Sequence, residues 1–193
     1  MHETAAFYSA LAPLFHLVYP DWEGAIQRQA SDLDLLIREQ WGDATRHVRD
    51  VACGVGTQSL GLAKLGYAVT ASDLSQEAVA RARLEAQERG LSIDFSVADM
   101  REVSSRHSKP FDVVIACDNS VPHLLSDADI LAAFKRFFDC LRPGGGCIVS
   151  VRDYEQEDLS RQQVKPFGVR MSDGARWLVL QVWDPRPPLY DLT

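Results

Sequence analysis

Of three carboxylates, Asp50 sits inside the first strand-like run, four residues before Gly54, while Asp73 and Asp99 stand at or just past the ends of later apolar runs. A glycine turn, Gly54-Val55-Gly56, follows the first of them. Carboxylates at such points can accept hydrogen bonds from ribose hydroxyls and amino groups, and glycines let the backbone approach a ligand closely. Asp73 lies about 20 residues beyond the turn, where an acidic residue takes a ribose. The stretch from Arg49 to Ser75 therefore reads as a βαβ unit that binds an adenosine-containing cofactor. A dinucleotide turn needs a third glycine so that the helix can receive a pyrophosphate; that position here is Ser59. Asp50 adds negative charge at the helix entrance, which repels a pyrophosphate but suits a ligand carrying an ammonium and a sulfonium.

Further polar groups gather at later strand ends. The carboxylate of Asp99 can accept from an adenine amino group while the backbone amide of Met100 meets a ring nitrogen. The segment Cys117-Asp118-Asn119-Ser120-Val121-Pro122-His123-Leu124 supplies several side-chain polar groups after the fourth strand. Asn119 can hold an incoming amine there; Asp118 or His123 can accept a proton through water, although a histidine at a helix entrance is more often structural. Arg152 ends the fifth strand, and a guanidinium can grip a carboxylate bidentately or simply pair with a nearby acid.

These residues need a scaffold, and the periodicity supplies one. Residues 5–18 and 23–40 read as helices, separated at Tyr19-Pro20-Asp21-Trp22. Strands are expected at 48–53, 67–72, 92–97, 111–117 and 146–151, with helices at 57–65, 75–89 and 126–141 between them. Gly66, Gly90 and the Arg142–Gly146 turn stop those helices. The alternation predicts an α/β fold: a doubly wound, mostly parallel, Rossmann-like sheet whose ligands sit at the carboxyl ends of the strands. Beyond Val151 the pattern changes to strands at 167–171 and 176–183, joined as a hairpin across Ser172-Asp173-Gly174-Ala175 and ended by Pro185, Pro187 and Pro188. One domain is expected over 1–193, with an N-terminal helical cap (1–45), a cofactor-binding core (46–155) and an incomplete antiparallel segment (156–193).

Bulk properties narrow the function. Twenty Lys and Arg against 27 Asp and Glu give a formal charge of −7, which argues against nucleic acid as a partner. Cys53, Cys117, Cys140 and Cys147 lack metal-ligand spacing and read as reduced thiols of a cytoplasmic protein, so no metal is expected. The apolar stretch 5–18 has no basic flank and is interrupted by Pro13 and His16, so neither a signal peptide nor a membrane span is expected.

The segment Asp50-x-Ala52-x-Gly54-x-Gly56 resembles motif I of the class I S-adenosylmethionine (SAM) dependent methyltransferases, with Ala52 where the family's first glycine often stands. The loop DNSVPHL and the strand end SVRDY look like the glycine/sarcosine N-methyltransferase branch. The resemblance implies SAM as cofactor, S-adenosylhomocysteine as product and a small-molecule acceptor, most of all a small amino-acid amine. It implies cofactor contacts at Asp50, Ala52, Gly54, Gly56, Asp73, Leu74, Asp99, Met100 and Asp118. Asn119 would lie beside the substrate amine, with Arg152 on its carboxylate. Tyr8, Tyr19 and Arg28 match the branch's N-terminal tyrosines and arginine, Tyr8 on the substrate side and the other two near the methionine end of the cofactor. Asp118 departs from the branch's glycine. The family also closes its sheet with a final helix and an antiparallel hairpin that the pattern after 155 does not supply, so an exposed or intermolecularly covered sheet edge and a homo-oligomer are expected. The rival readings are a non-catalytic module of the same fold and an NAD-dependent oxidoreductase, the latter opposed by Ser59 and Asp50.

Overall fold

The computed structural model describes residues 2–103, 110–186 and 189–193, and by compactness these fall into two units. The first comprises residues 1–13 and 23–151, the second residues 14–22 and 152–193. Residues 14–22 thus group with the carboxyl-terminal segment, and the first unit ends at Val151.

In the first unit, α1 (His2–Leu11) and α2 (Trp22–Trp41) precede the alternation β1 (His47–Asp50), α3 (Thr57–Lys64), β2 (Ala68–Asp73), α4 (Gln76–Glu88), β3 (Asp94–Val97), β4 (Phe111–Ala116), α5 (Asp127–Cys140) and β5 (Leu141–Val149). The five strands are parallel in the order β3-β2-β1-β4-β5, with the reversal of winding between β1 and β4. Every residue of β4 is buried, as expected of a central strand covered on both faces. Its Phe111, Val114 and Ala116 pack with Val51, Val121, Ala133 and Phe137 in one apolar cluster, so α5 and the loop after β4 are anchored to the middle of the sheet. Ser75 and Ser126 cap α4 and α5 by accepting hydrogen bonds from the amides of Ala78 and Asp129.

The largest departures from the expected strands of this sheet are in β1 and β5. Strand β1 ends at Asp50, yet the chain beyond it stays tied to both neighbours. The amide of Val51 donates to Ile115 on β4 and that of Cys53 donates to Ser72 on β2. Strand β5 begins at Leu141, directly after α5: Leu141 pairs with Phe111, the Arg142–Gly145 segment bulges, and pairing resumes at Val113 with Gly146. The segment read as a helix-ending turn is therefore an irregularity inside a strand.

The second unit holds an antiparallel sheet in the order β6-β7-β8, formed by Gln163–Ser172, Ala175–Arg186 and Leu189–Leu192. The hairpin between Ser172 and Ala175 is as expected, but β7 runs through Pro185, which pairs with Tyr190, and β8 adds a third strand. The register of β6 starts at Gln163 opposite Trp183, so at Pro185 strand β7 is paired only with β8 and the missing N–H costs no ladder bond on the other side. Pro187 and Pro188 lie outside the described residues.

Candidate cofactor and acceptor site

The glycine turn is built by its backbone. The amide of Gly56 donates to Cys53 (2.8 Å), and Gly54 and Gly56 take φ of +53° and +95°. A Cβ on Gly56 would press on Ala82 and Leu60 at 3.3 Å, so the position needs glycine for both conformation and space. Asp73, at the end of β2, locks the turn in place. One carboxylate oxygen accepts from the amide of Gly54 (2.8 Å) and the other from the amide of Ser75 (2.9 Å). Burial lifts its carboxyl above the usual range despite these bonds. Each oxygen still has a second lone pair for a ligand hydroxyl.

Asp50 lies beneath the turn, buried, accepting from the Ser59 hydroxyl (2.6 Å) and the amide of Ala52 (3.3 Å). Burial pushes its carboxyl up to about 6. The serine that replaces the third glycine thus serves to solvate Asp50 from the first turns of α3. The acidic residue influences this rim through its charge from below.

After β3, both oxygens of Asp99 are engaged by Arg101, through its backbone amide (2.8 Å), Nε (3.0 Å) and Nη2 (2.6 Å). The Arg101 guanidinium, foremost, holds the Asp99 carboxyl below its usual range. Arg101 also bonds Asp129 at the start of α5, joining the Asp99 turn to that helix. Met100 is half-buried against the core cluster.

Asp118 and Asn119, after β4, are consecutive non-glycine residues in the left-handed region, at φ of +57° and +65°. Such residues are costly unless their surroundings fix them. Here Ser150, just past β5, does so: its hydroxyl oxygen accepts from the amide of Asp118 (2.8 Å) and its carbonyl from that of Asn119 (3.2 Å). The Ser120 hydroxyl closes the loop on the carbonyl of Cys117 (2.6 Å). A cavity of about 300 Å³ beside the loop is lined by Asp118, Cys117, Ser150, Gln58, Gln29 and Leu33, among others. The side-chain Nε2 of Gln58 donates to the side-chain Oε1 of Gln29 (2.6 Å).

His123 ends the short 3-10 turn Val121–His123, and its Nε2 meets the hydroxyl of Tyr8 on α1 at 2.9 Å, with the rings edge to face. Burial pulls the imidazole below its usual range, while the charge of Asp73 acts in the opposite sense. Tyr8, His123 and Asp73 are thus neighbours at the carboxyl end of the sheet.

The remaining expected site residues have these surroundings. Arg28 is exposed on α2, whereas Gln29, Leu33 and Leu36 of the same helix line the cavity. Leu74 is exposed between Asp73 and the cap of α4. Tyr19 belongs to the second unit, where its carbonyl accepts from Arg170 (3.2 Å) and its ring meets Phe15. Arg152 also belongs to that unit; its guanidinium lies 4.4 Å over the Trp183 ring and 3.9 Å from Glu157. Sequence reasoning missed Gln29, Gln58 and Arg101. Gln58, in the first turn after the glycines, and Arg101, two residues from Asp99, had detectable positions; Gln29 had no local signal. Among the described residues no cluster could hold a metal ion, no helix is long and apolar enough to cross a membrane, and all four cysteines are free thiols.

The sequence model of a family described as a methyltransferase domain matches residues 48–145. A glycine/sarcosine N-methyltransferase of Parasynechococcus marenigrum is 30% identical over 136 residues, covering 70% of this chain and 47% of that protein. A ubiquinone biosynthesis O-methyltransferase of Thiobacillus denitrificans is 33% identical over 114 residues, covering 56% of this chain and 47% of that protein. The chain spans about half the length of the curated relatives it matches. Among solved structures, DesVI of Streptomyces venezuelae has the same fold, with a TM-score of 0.78 at 23% identity over 95% of this chain and 72% of that one.

Proposed function

This chain belongs to the class I SAM-dependent methyltransferases, and from that membership we propose that it methylates a small molecule, with a small amino-acid amine as the acceptor. The residues of the first unit fit SAM. A Cβ on Gly54 would meet nothing within 4 Å, so the turn is open on that side. The half-buried carboxylate of Asp73 bonds that glycine's amide. Asp73 would hold the ribose, and Asp99 with Met100 the adenine, Arg101 keeping Asp99 ionised.

When bound, SAM supplies a methyl group on a positively charged sulphur, which is already a good leaving group. The chain then need supply little more than orientation, which can account for roughly 7–11 kcal/mol of a barrier. The observation that carries this reading is the strained, Ser150-pinned pair Asp118-Asn119, because strain of this kind persists where the surroundings fix a functional geometry. Asn119 would orient the amine. His123, kept neutral by burial and bonded to Tyr8, can hold a proton released from the acceptor at Nε2. The glycine/sarcosine N-methyltransferase relatives favour an amino-acid amine, and the loop resemblance points the same way.

An acceptor panel of small amino acids, amino sugars and catechols, run on the chain and on Asn119→Gly, tests this. Glycine satisfies φ of +65° without strain, so the variant should be at least as stable as the parent. Its turnover of the amino-acid acceptor should nevertheless fall about tenfold or more with SAM affinity retained. Unchanged turnover would remove Asn119 from the site, and turnover of catechols alone would replace the amine with an oxygen acceptor.

A further inference from the structure

The antiparallel sheet of the second unit has two chemically different faces. Trp177, Val179, Gln181 and Trp183 alternate on one side of β7, and Trp183 is wholly buried. The opposite side presents Val164, Pro166, Val169 and Met171 from β6 with Leu178 and Leu180 from β7, all exposed. Pro166 stands opposite Leu180 and Val169 opposite Leu178, so the apolar side chains form cross-strand pairs and a continuous stripe. The irregularity between Pro166 and Gly168 inserts Phe167 and keeps Val169 and Met171 in phase with Val164. Single exposed apolar residues are ordinary, but a contiguous stripe with Met171 71% and Leu178 68% exposed marks an interaction surface.

The charges at the two ends of the stripe select the partner. Leu180 lies midway along β7 between Arg176 at the hairpin end and Asp184 at the far end, all three on the same side of the strand. Asp184 is paired with Asp191 of β8, and Arg186 bonds Asp191 at 2.8 Å. The far end therefore carries two acids against one base, whereas the hairpin end carries Arg176. We infer that this face is a two-fold interface with a second copy of the chain, sheet packed on sheet. The axis lies in the interface plane, perpendicular to the strands near Leu180. That operator sets Arg176 of each copy over Asp184 of the other and closes the apolar stripe on itself. An axis parallel to the strands would oppose like charges instead.

Size and charge support the choice of occupant. Twelve residues of β7 at about 3.3 Å each, with strands about 4.8 Å apart, give a face on the order of 400–500 Å². Two such faces bury about 800–1,000 Å², the size of a weak, transient interface, so the dimer is reversible rather than obligate. A membrane surface is disfavoured by the chain's charge of −7 and by the acidic end of the stripe.

Sedimentation of the chain over a concentration series tests the interface. The unmutated chain should show a monomer–dimer equilibrium. Leu180→Asp should abolish it, and Arg176→Asp should weaken it about tenfold or more. Combining Arg176→Asp with Asp184→Arg should restore association, because the exchanged charges again face each other. Circular dichroism checks that each variant is folded; if Leu180→Asp is not, the charge exchange carries the test alone. A parent chain that stays monomeric throughout, or an exchange that associates no better than Arg176→Asp, overturns the interface.

Discussion

Asp50 is a carboxylate that the protein stabilises incompletely. Burial raises its carboxyl from 3.8 to about 6 even with the Ser59 hydroxyl and the Ala52 amide bonded to it. The folded state therefore binds this proton more tightly than the unfolded state. The associated stability is fully present below about pH 4 and is lost as the pH rises through about 6, a difference of roughly 3 kcal/mol at neutral pH. Asp50→Asn keeps an acceptor for Ser59 and removes the ionisation. Thermal unfolding should show the variant more stable by on the order of 5 °C at about pH 7.5, with the gain vanishing near pH 4. Its affinity for SAM should fall, since a negative charge beneath the site is gone. Equal melting temperatures at both pH values would mean that Asp50 is not held ionised against burial. The placement of Asp73 beside the Gly54 turn was readable because both sit in one βαβ unit of fixed spacing. The Tyr8–His123 contact was not, because it joins residues 115 apart with no periodicity linking them.

At the scale of elements, α3 carries the first turn after the glycines and must lie close against α2. A Cβ on Gly61 would fall 2.5 Å from the Ala30 Cβ and 2.6 Å from the carbonyl oxygen of Ile26, so the two helices meet backbone to side chain at this glycine. Gly61→Ala should lower stability by about 1–3 kcal/mol in chemical denaturation and weaken SAM binding by displacing Gln58 from Gln29. An unchanged denaturation midpoint would show that the helices separate without cost. The alternation of strands and helices was legible because each parallel strand is a short apolar run ended by a turn. The start of β5 was not: Arg142-Pro143-Gly144-Gly145-Gly146 has the composition of a helix stop, and only pairing with β4 shows it as a bulge. The length of β7 was hidden in the same way, since Pro185 breaks a strand paired on both sides but is tolerated beside β8 alone.

For the whole molecule, parallel order brings the candidate site residues to one edge of the sheet: the glycine turn, Asp73, Asp99 and Asp118-Asn119 all follow carboxyl ends of strands, on either side of the reversal between β1 and β4. The grouping of residues 14–22 with 152–193 was invisible in sequence, because it depends on contacts such as that of Arg170 with the Tyr19 carbonyl. The most direct test of the cofactor assignment is calorimetric titration of S-adenosylhomocysteine and of NADH into the chain, repeated on Asp73→Ala with folding checked by circular dichroism. Saturable binding of S-adenosylhomocysteine, weakened at least tenfold by Asp73→Ala, with no heat from NADH, is the predicted result. Absence of binding by the parent chain, or a preference for NADH, would contradict it.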